Sequence, residues 1–184
     1  MKVYLKAVLI TGILAAILVA GIFRLKGIGS DSSELKRMKT VDQMEGEGLK
    51  NFTAKSLEGG DISPALYPKK LVIVHFWASW CGPCLTEFPS LISLIEEMNG
   101  EVQLIAVSGD DNTADILTFL KAFPKAKNPN IHIVWDSDKA LSRMYEVDRL
   151  PESFLANRDL KLVKKIVGSI NWHSQDTLDY LKSL

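Results

Sequence analysis

The stretch that decides the fold is FWASWCGPC at residues 76–84, and it contains the only two cysteines of the chain, Cys81 and Cys84. It lies where an apolar run, LVIVHFW at residues 71–77, gives way to a helical pattern of apolar residues. Two cysteines separated by two residues at a strand-to-helix junction are typical of a redox-active dithiol. The motif therefore predicts thiol-disulfide chemistry.

The position of Cys81 predicts which sulfur reacts first. A thiol at a helix N-terminus meets unpaired backbone N–H groups and the helix dipole, which favour a negative charge. They lower a cysteine pKa from about 8.5 toward neutrality, so we expect Cys81 to be the attacking nucleophile. Cys84 lies one helical turn further on, where the two sulfurs can form a disulfide. Gly82 and Pro83 separate them, and Pro83 and the helix are expected to bury Cys84 more deeply.

Two other interpretations of the cysteine pair have less support. A zinc site needs about four ligands, but the chain has no second cysteine pair, and the spacing of His75, His132 and His173 is not that of ligands. A purely structural disulfide across so short a loop would restrict the unfolded chain little. We therefore expect no metal, and no cofactor beyond the Cys81–Cys84 pair itself.

An uncharged apolar stretch, AVLITGILAAILVAGIF, occupies residues 7–23 and has the composition of a membrane span. It is short for a bilayer, which needs about 20 residues, but preceding apolar residues extend it if Lys6 snorkels to the surface. We predict that residues 1–26 are a membrane anchor that contacts the lipid bilayer through residues 3–23. A signal peptide cleaved near Val19-Ala20-Gly21 is the alternative.

The rest of the chain divides into a tether and a domain. Residues 27–48 are rich in Gly, Ser, Lys and Glu, lack apolar periodicity and predict a flexible linker to a domain at residues 49–184. Beyond residue 26 there are 18 basic and 22 acidic side chains, which gives no support to nucleic-acid binding. Basic residues lie on both sides of the apolar stretch, so their count does not favour export of the domain.

The domain pattern predicts an N-terminal hairpin at residues 49–63, a buried strand at 71–77 and a helix at 83–98. Asp110-Asp111-Asn112 offers caps for a second helix. Further strands are predicted at 102–107, 131–135, 153–156 and 162–167, and further helices at 139–145 and 174–181. Alternating strands and helices, then a hairpin and a last helix, indicate an α/β layer with a mixed sheet.

Residues 76–84, followed by Glu87-Phe88-Pro89, resemble thioredoxin-fold proteins, and more narrowly the TlpA/ResA-like membrane-anchored thiol-disulfide oxidoreductases. The resemblance runs from about Leu49 to the C-terminus. It implies a thioredoxin-like fold, with a central mixed sheet flanked by helices and an added N-terminal β-hairpin. The segment Val102–Phe123 fits a βα insertion.

The resemblance also gives roles to residues outside the cysteine motif. In thioredoxin-fold proteins, a proline that follows a cis peptide bond faces the cysteines, and Pro151 matches that proline. The backbone of Leu150 is then expected to pair with a partner strand. A trans proline that begins a strand is the alternative. Glu87 matches an acid that tunes thiol pKa and partner choice, or is a solvated helix charge. Glu152 is similar to an acid of the cytochrome-c-maturation branch, or is an exposed loop charge.

Trp80 and His75 complete the candidate site. Trp80 is expected to shield the thiols and to contact partners, and packing beside the helix is the other interpretation. His75 stands where thioredoxin carries a buried Asp that accepts a proton. A neutral imidazole could take the Cys84 proton, or His75 is a hydrogen-bonded core residue.

Together these features predict a reductase. Gly82-Pro83 is also the central dipeptide of thioredoxin, whose potential is about −270 mV. The resemblance implies an extracytoplasmic, periplasmic domain in a bacterium that reduces disulfides of exported proteins, with apocytochrome c as a candidate. Electrons would come from a membrane thiol donor. A disulfide oxidase or isomerase of the same fold and a metal-handling Cys pair are the alternatives, while a peroxidase is disfavoured because no cysteine precedes the motif.

Overall fold

A computed structural model describes residues 48–184. The predicted anchor, and the predicted tether up to residue 47, lie outside the described residues. Within residues 48–184, no helix is both long enough and apolar enough to cross a membrane.

The secondary structure follows the predicted order, and from the first long strand onward the predicted bounds lie within two residues of those observed. Single 3-10 turns occur at Pro64–Leu66 and Pro124–Ala126. The strands and helices are β1 (Ala54–Lys55), β2 (Asp61–Ile62), β3 (Leu71–Trp77), α1 (Gly82–Glu97), β4 (Val102–Ser108), α2 (Thr113–Lys121), β5 (Ile131–Trp135), α3 (Ala140–Met144), β6 (Glu152–Ala156), β7 (Leu162–Val167) and α4 (Gln175–Ser183).

The five long strands form one mixed sheet in the order β5-β4-β3-β6-β7. β3 pairs with β4 in parallel, and β4 with β5 likewise, whereas β6 runs antiparallel to both β3 and β7. The expected mixed sheet is confirmed. The segment Val102–Phe123 supplies β4 and α2, so its strand is a direct neighbour of the strand that leads to the cysteines.

All seven residues of β3 are buried, because both faces of the sheet are covered. Leu71, Ile73 and Trp77 pack in a core cluster that includes Cys84 and the apolar side of α1. The alternate residues of β3 pack in a second cluster with Tyr145 and Phe154. This arrangement explains why the strand reads as a continuous apolar run rather than an alternating one.

The predicted N-terminal hairpin is formed by β1 and β2, with Ala54 opposite Ile62. Its turn lies against the edge of the main sheet, where the Leu57 N–H donates to the Ile133 carbonyl at 2.8 Å. Ser56 also forms a bridge with Val134. The hairpin therefore covers part of the exposed edge of β5, which would otherwise offer unpaired backbone groups to other chains.

Helix α1 follows the C-terminal end of β3 and carries the cysteine motif in its first turn. Cys81 is its N-cap, and Pro83 lies among the first helical positions, where a missing N–H costs no hydrogen bond. The helix ends before Asn99 and Gly100, both with positive φ, of 43° and 85°. The cysteine motif is thus held between a buried strand and a well-defined helix start.

Candidate active site

Cys81 and Cys84 are joined by a disulfide bond in the first turn of α1. The Cys84 N–H donates to the Cys81 sulfur at 3.3 Å, which satisfies one of the free N–H groups of the helix start. Cys84 is completely buried, and Cys81 is 6% exposed. Cys84 is the more deeply buried of the two, as predicted. Because Cys81 is itself only slightly exposed, a partner can reach it only through the cavity beside it.

That cavity has a volume of about 610 Å³ and is lined by three parts of the chain. The first is the cysteine loop, residues 80–83. The second comprises Gly109, Lys139 and Ser142, and the third is the segment 147–150. Cys81 lines this cavity and Cys84 does not, so a partner disulfide that enters meets Cys81 first.

The Leu150–Pro151 peptide bond is cis, as the resemblance implies. Leu150 lies in the cavity wall. Pro151 is buried, and its carbonyl accepts from the Gly168 N–H at 2.9 Å. The proline carbonyl is therefore used within the fold, while Leu150 borders the space open to a partner.

Trp80 is 68% exposed at the rim of the cavity. The alternative interpretation, an aromatic ring packed beside the helix, is wrong for a side chain so open to solvent. An exposed indole next to a reactive sulfur offers a large apolar contact surface to a partner.

Glu87 is buried at 2% exposure, so its interpretation as a solvated helix charge is wrong. Burial raises the pKa of this carboxyl to about 7, against the opposing effect of hydrogen bonds from the Trp172 indole and the Ile170 backbone. The Trp172 Nε1–H donates to Glu87 Oε1. Among the described residues, Oε2 has no hydrogen-bond partner.

Trp172 is a residue that the sequence did not single out. It lies 85 positions from Glu87, and no local pattern links the two. Its own N–H donates to Ser90 Oγ on α1 at 3.1 Å, so the segment before α4 is fixed to the active-site helix. The hydrogen bond from Trp172 holds the Glu87 side chain in place: Oε1 accepts from the indole, and Oε2 is buried.

His75 is completely buried in β3, on the face that it shares with Ile73 and Trp77. Its Nδ1 is hydrogen-bonded to Ser153 Oγ at 2.8 Å, across the β3–β6 pairing, while Nε2 has no partner among the described residues. Burial lowers the pKa of this imidazole to about 3. His75 is therefore a neutral, hydrogen-bonded core residue at physiological pH.

Glu152 is also buried, at 2% exposure, and not an exposed loop charge. One carboxylate oxygen pairs with Lys165 Nζ at 2.6 Å, and the other accepts from the Asp148 N–H at 3.2 Å. The Lys165 ammonium also lies 5.1 Å from the Phe154 ring centroid. This buried pair fixes the segment before the cis bond, which forms one wall of the cavity.

Of the three predicted cap candidates, Asn112 caps α2 as expected, and Asp110 has a different role. The carboxylate is completely buried and accepts from the Ser79 N–H at 3.0 Å and the Ser79 hydroxyl at 2.6 Å. It also accepts from the Ser108 hydroxyl at 2.6 Å. Asp110 therefore attaches the loop that carries Trp80 and Cys81 to the end of β4.

A disulfide at a helix start, and a cavity lined both by the cysteine loop and by Leu150 of the cis Leu150–Pro151 bond, define a thiol-disulfide oxidoreductase of the thioredoxin fold. The chain belongs to the AhpC/TSA family, whose sequence profile matches residues 46–165.

Similar proteins agree with that class. The chain is 32% identical over 124 residues to a Bacillus cereus "Thiol-disulfide oxidoreductase ResA", covering 67% of this chain and 69% of the relative. It is 34% identical over 118 residues to the Bacillus subtilis "Sporulation thiol-disulfide oxidoreductase A", covering 64% and 70%. The crystal structure of StoA from Bacillus subtilis superposes with a TM-score of 0.58 at 30% identity, covering 73% of this chain and 95% of that one.

Proposed function

We propose that this protein is an extracytoplasmic reductase of disulfides in exported proteins, tethered to the membrane through residues 3–23. Apocytochrome c, before haem attachment, is the candidate substrate. The observation that carries the reaction is the placement of Cys81 at the N-cap of α1, where it lines a cavity that is also lined by Leu150, the residue before the cis bond.

The reaction begins with the reduced dithiol. The Cys81 thiolate attacks one sulfur of the partner disulfide, and the other partner sulfur leaves as a thiolate that takes up a proton. Cys84 then loses its proton and attacks the Cys81 sulfur, which releases the second partner sulfur as a thiol. Two electrons pass to the partner, and the product is the Cys81–Cys84 disulfide that the structure contains.

After each turnover, another molecule must supply two electrons to reduce the Cys81–Cys84 disulfide again. Exported compartments lack the cytosolic thioredoxin and glutathione systems that keep thiols reduced. We therefore propose a membrane-bound thiol donor as the second partner, and no cofactor other than the cysteine pair.

Partner binding uses groups that are exposed around Cys81. The Trp80 indole provides an apolar contact, and the Leu150 backbone pairs with an extended segment of the partner in the manner of strand addition. Glu87 lies three residues after Cys84 in α1, on the same side of the helix. When ionised it disfavours the thiolate, and because its pKa lies near 7, it changes charge over the pH range in which the dithiol works.

Single-turnover kinetics test this function. Pre-reduced wild-type protein should reduce a peptide disulfide, Cys81→Ser should not, and Cys84→Ser should stop at the mixed disulfide. A reduction potential near that of a strong oxidant, about −120 mV, would instead favour a disulfide oxidase. In the host, Cys84→Ala should retain the substrate as a mixed disulfide that mass spectrometry can identify.

A further inference from the structure

The cavity beside Cys81 contains a lysine that is held in place by backbone groups. Lys139 Nζ donates to the Gly109 carbonyl at 2.8 Å and to the Asp110 carbonyl at 3.1 Å. An ammonium group has three N–H donors, so one of them remains for a ligand. Since Lys139 also lines the cavity, a positive charge is fixed in the space that a partner must enter.

Arg149 adds a second positive charge to the same cavity. It is exposed, and it forms no hydrogen bond or ion pair within the part of the chain that the structure describes. It directly precedes Leu150, whose backbone is the proposed docking strand. Among the described residues that line the cavity, Asp148 is the only acid, which leaves a formal excess of one positive charge around Cys81.

The net positive charge of the cavity lining contrasts with the net charge of the whole domain. Residues 48–184 carry 15 basic and 17 acidic side chains, so the domain as a whole is slightly acidic. The N-terminus of α1, whose dipole is positive at this end, adds to the local field. A cavity with an excess of charge of one sign attracts ligands of the opposite sign and raises their association rate.

We propose that Lys139 and Arg149 select partner disulfides in which an acidic residue lies next to a cysteine. This inference rests on the proposed reductase function and names the substrate class of the same site. The acidic side chain accepts a hydrogen bond from the free Lys139 N–H and lies within the field of the Arg149 guanidinium. The partner cysteine is thereby placed against Cys81.

Two matched peptides test the selection. Each contains one internal disulfide, and they differ only in that Glu follows each cysteine in one and Gln in the other. The second-order rate constant is measured with pre-reduced, full-length protein in single turnover. Each value is divided by the rate with dithiothreitol, because a neighbouring carboxylate also changes the intrinsic reactivity of a disulfide.

Wild-type protein should prefer the Glu peptide by about tenfold, and Lys139→Met and Arg149→Gln should each lower the preference to about threefold. The preference should shrink as salt is raised, because exposed charges are screened. Lys164→Met is the matched control, since Lys164 is exposed on β7 and does not line the cavity. It should keep the wild-type preference.

The outcomes separate this inference from the reductase function. Equal reduction of both peptides by wild type overturns the selection and leaves the reductase function intact. Reduction of neither peptide overturns the reductase function itself. A preference that persists in both variants overturns the assignment to these two cations. Should Lys139→Met unfold, because Nζ bonds two carbonyls, the exposed Arg149→Gln still decides the question.

Discussion

The Glu87 carboxylate loses nearly all of its contact with water in the folded protein, and this loss determines its chemistry. Its ordinary pKa of 4.5 rises to about 7 through desolvation, although two hydrogen bonds favour the charged form. The sequence showed that an acid lies one turn beyond Cys84, but not how deeply it is buried. The indole that hydrogen-bonds the buried carboxylate belongs to Trp172, which comes from a distant segment.

Glu87→Gln should remove a pH dependence of stability from the oxidised protein. Between pH 4.5 and about 7 the folded state retains a proton that the unfolded state has lost, so the free energy of unfolding falls as pH rises. Each pKa unit corresponds to about 1.4 kcal/mol. We expect Glu87→Gln to stabilise the protein by about 2–3 kcal/mol at about pH 8, and little at about pH 4.5.

Urea unfolding at the two pH values measures this effect. Glu96→Gln is the control, because Glu96 lies on the same helix but is exposed, in an ion pair with Lys125. A Glu87→Gln variant whose stability follows the wild-type pH profile would contradict the assigned burial effect.

Glu87→Gln should also change the reactivity of the reduced dithiol. An ionised carboxylate near the thiols disfavours the thiolate, so its removal should move the midpoint of the Cys81 alkylation profile to lower pH, by about one unit. Trp172→Phe should move the midpoint in the same direction but less, because loss of the indole donor raises the Glu87 pKa and keeps the acid neutral to higher pH.

Iodoacetamide rates over a pH series give both midpoints. A Trp172→Phe variant with lower stability but an unchanged midpoint would assign Trp172 a packing role only. If Cys84 is alkylated before Cys81, the assignment of the nucleophile is wrong.

At the scale of elements, the cavity walls are held by side chains at the ends of strands. Asp110 fixes the cysteine loop to the end of β4, and the Glu152–Lys165 pair fixes the loop before the cis bond to β7. The strands and helices themselves follow from local periodicity, which is why their bounds could be predicted. These hydrogen bonds and this ion pair could not be predicted from the sequence, because each joins residues that only the sheet order β4-β3-β6-β7 brings together.

Asp110→Asn should loosen the cysteine loop. All the groups that point at this carboxylate are donors from Ser79 and Ser108, and an amide group replaces one acceptor oxygen with a further donor. An unsatisfied buried group costs about 1–3 kcal/mol. We expect a loss of stability of that size and a severalfold slower attack of Cys81 on a peptide disulfide.

Asp111→Asn provides the matched control, since Asp111 is exposed beside Asp110. Urea unfolding and single-turnover reduction on both variants separate the two effects. A destabilised Asp110→Asn protein that attacks at the wild-type rate would show that the loop keeps its position without the carboxylate.

At the scale of the whole molecule, we expect the dithiol chemistry and the proposed membrane location to depend on different parts of the chain. Within the part of the chain that the structure describes, residues 48–184 supply the disulfide and the lining of the cavity beside it. The apolar residues 7–23 are proposed to act through their hydrophobicity, which can hold a protein in a bilayer. Chemistry and location should therefore be separable by deletion.

Removal of residues 1–26 should give a protein that remains in the soluble fraction and reduces a peptide disulfide at the wild-type single-turnover rate. In the host it should fail to support the reduction of exported partners, because it would be neither exported nor held beside the proposed membrane electron donor. Fractionation of the full-length protein provides the comparison, and we expect it in the membrane fraction with its N-terminus intact. Recovery of soluble protein trimmed near Gly21 would identify a cleaved signal peptide instead, since hydrolysis there removes the apolar stretch that would anchor the chain.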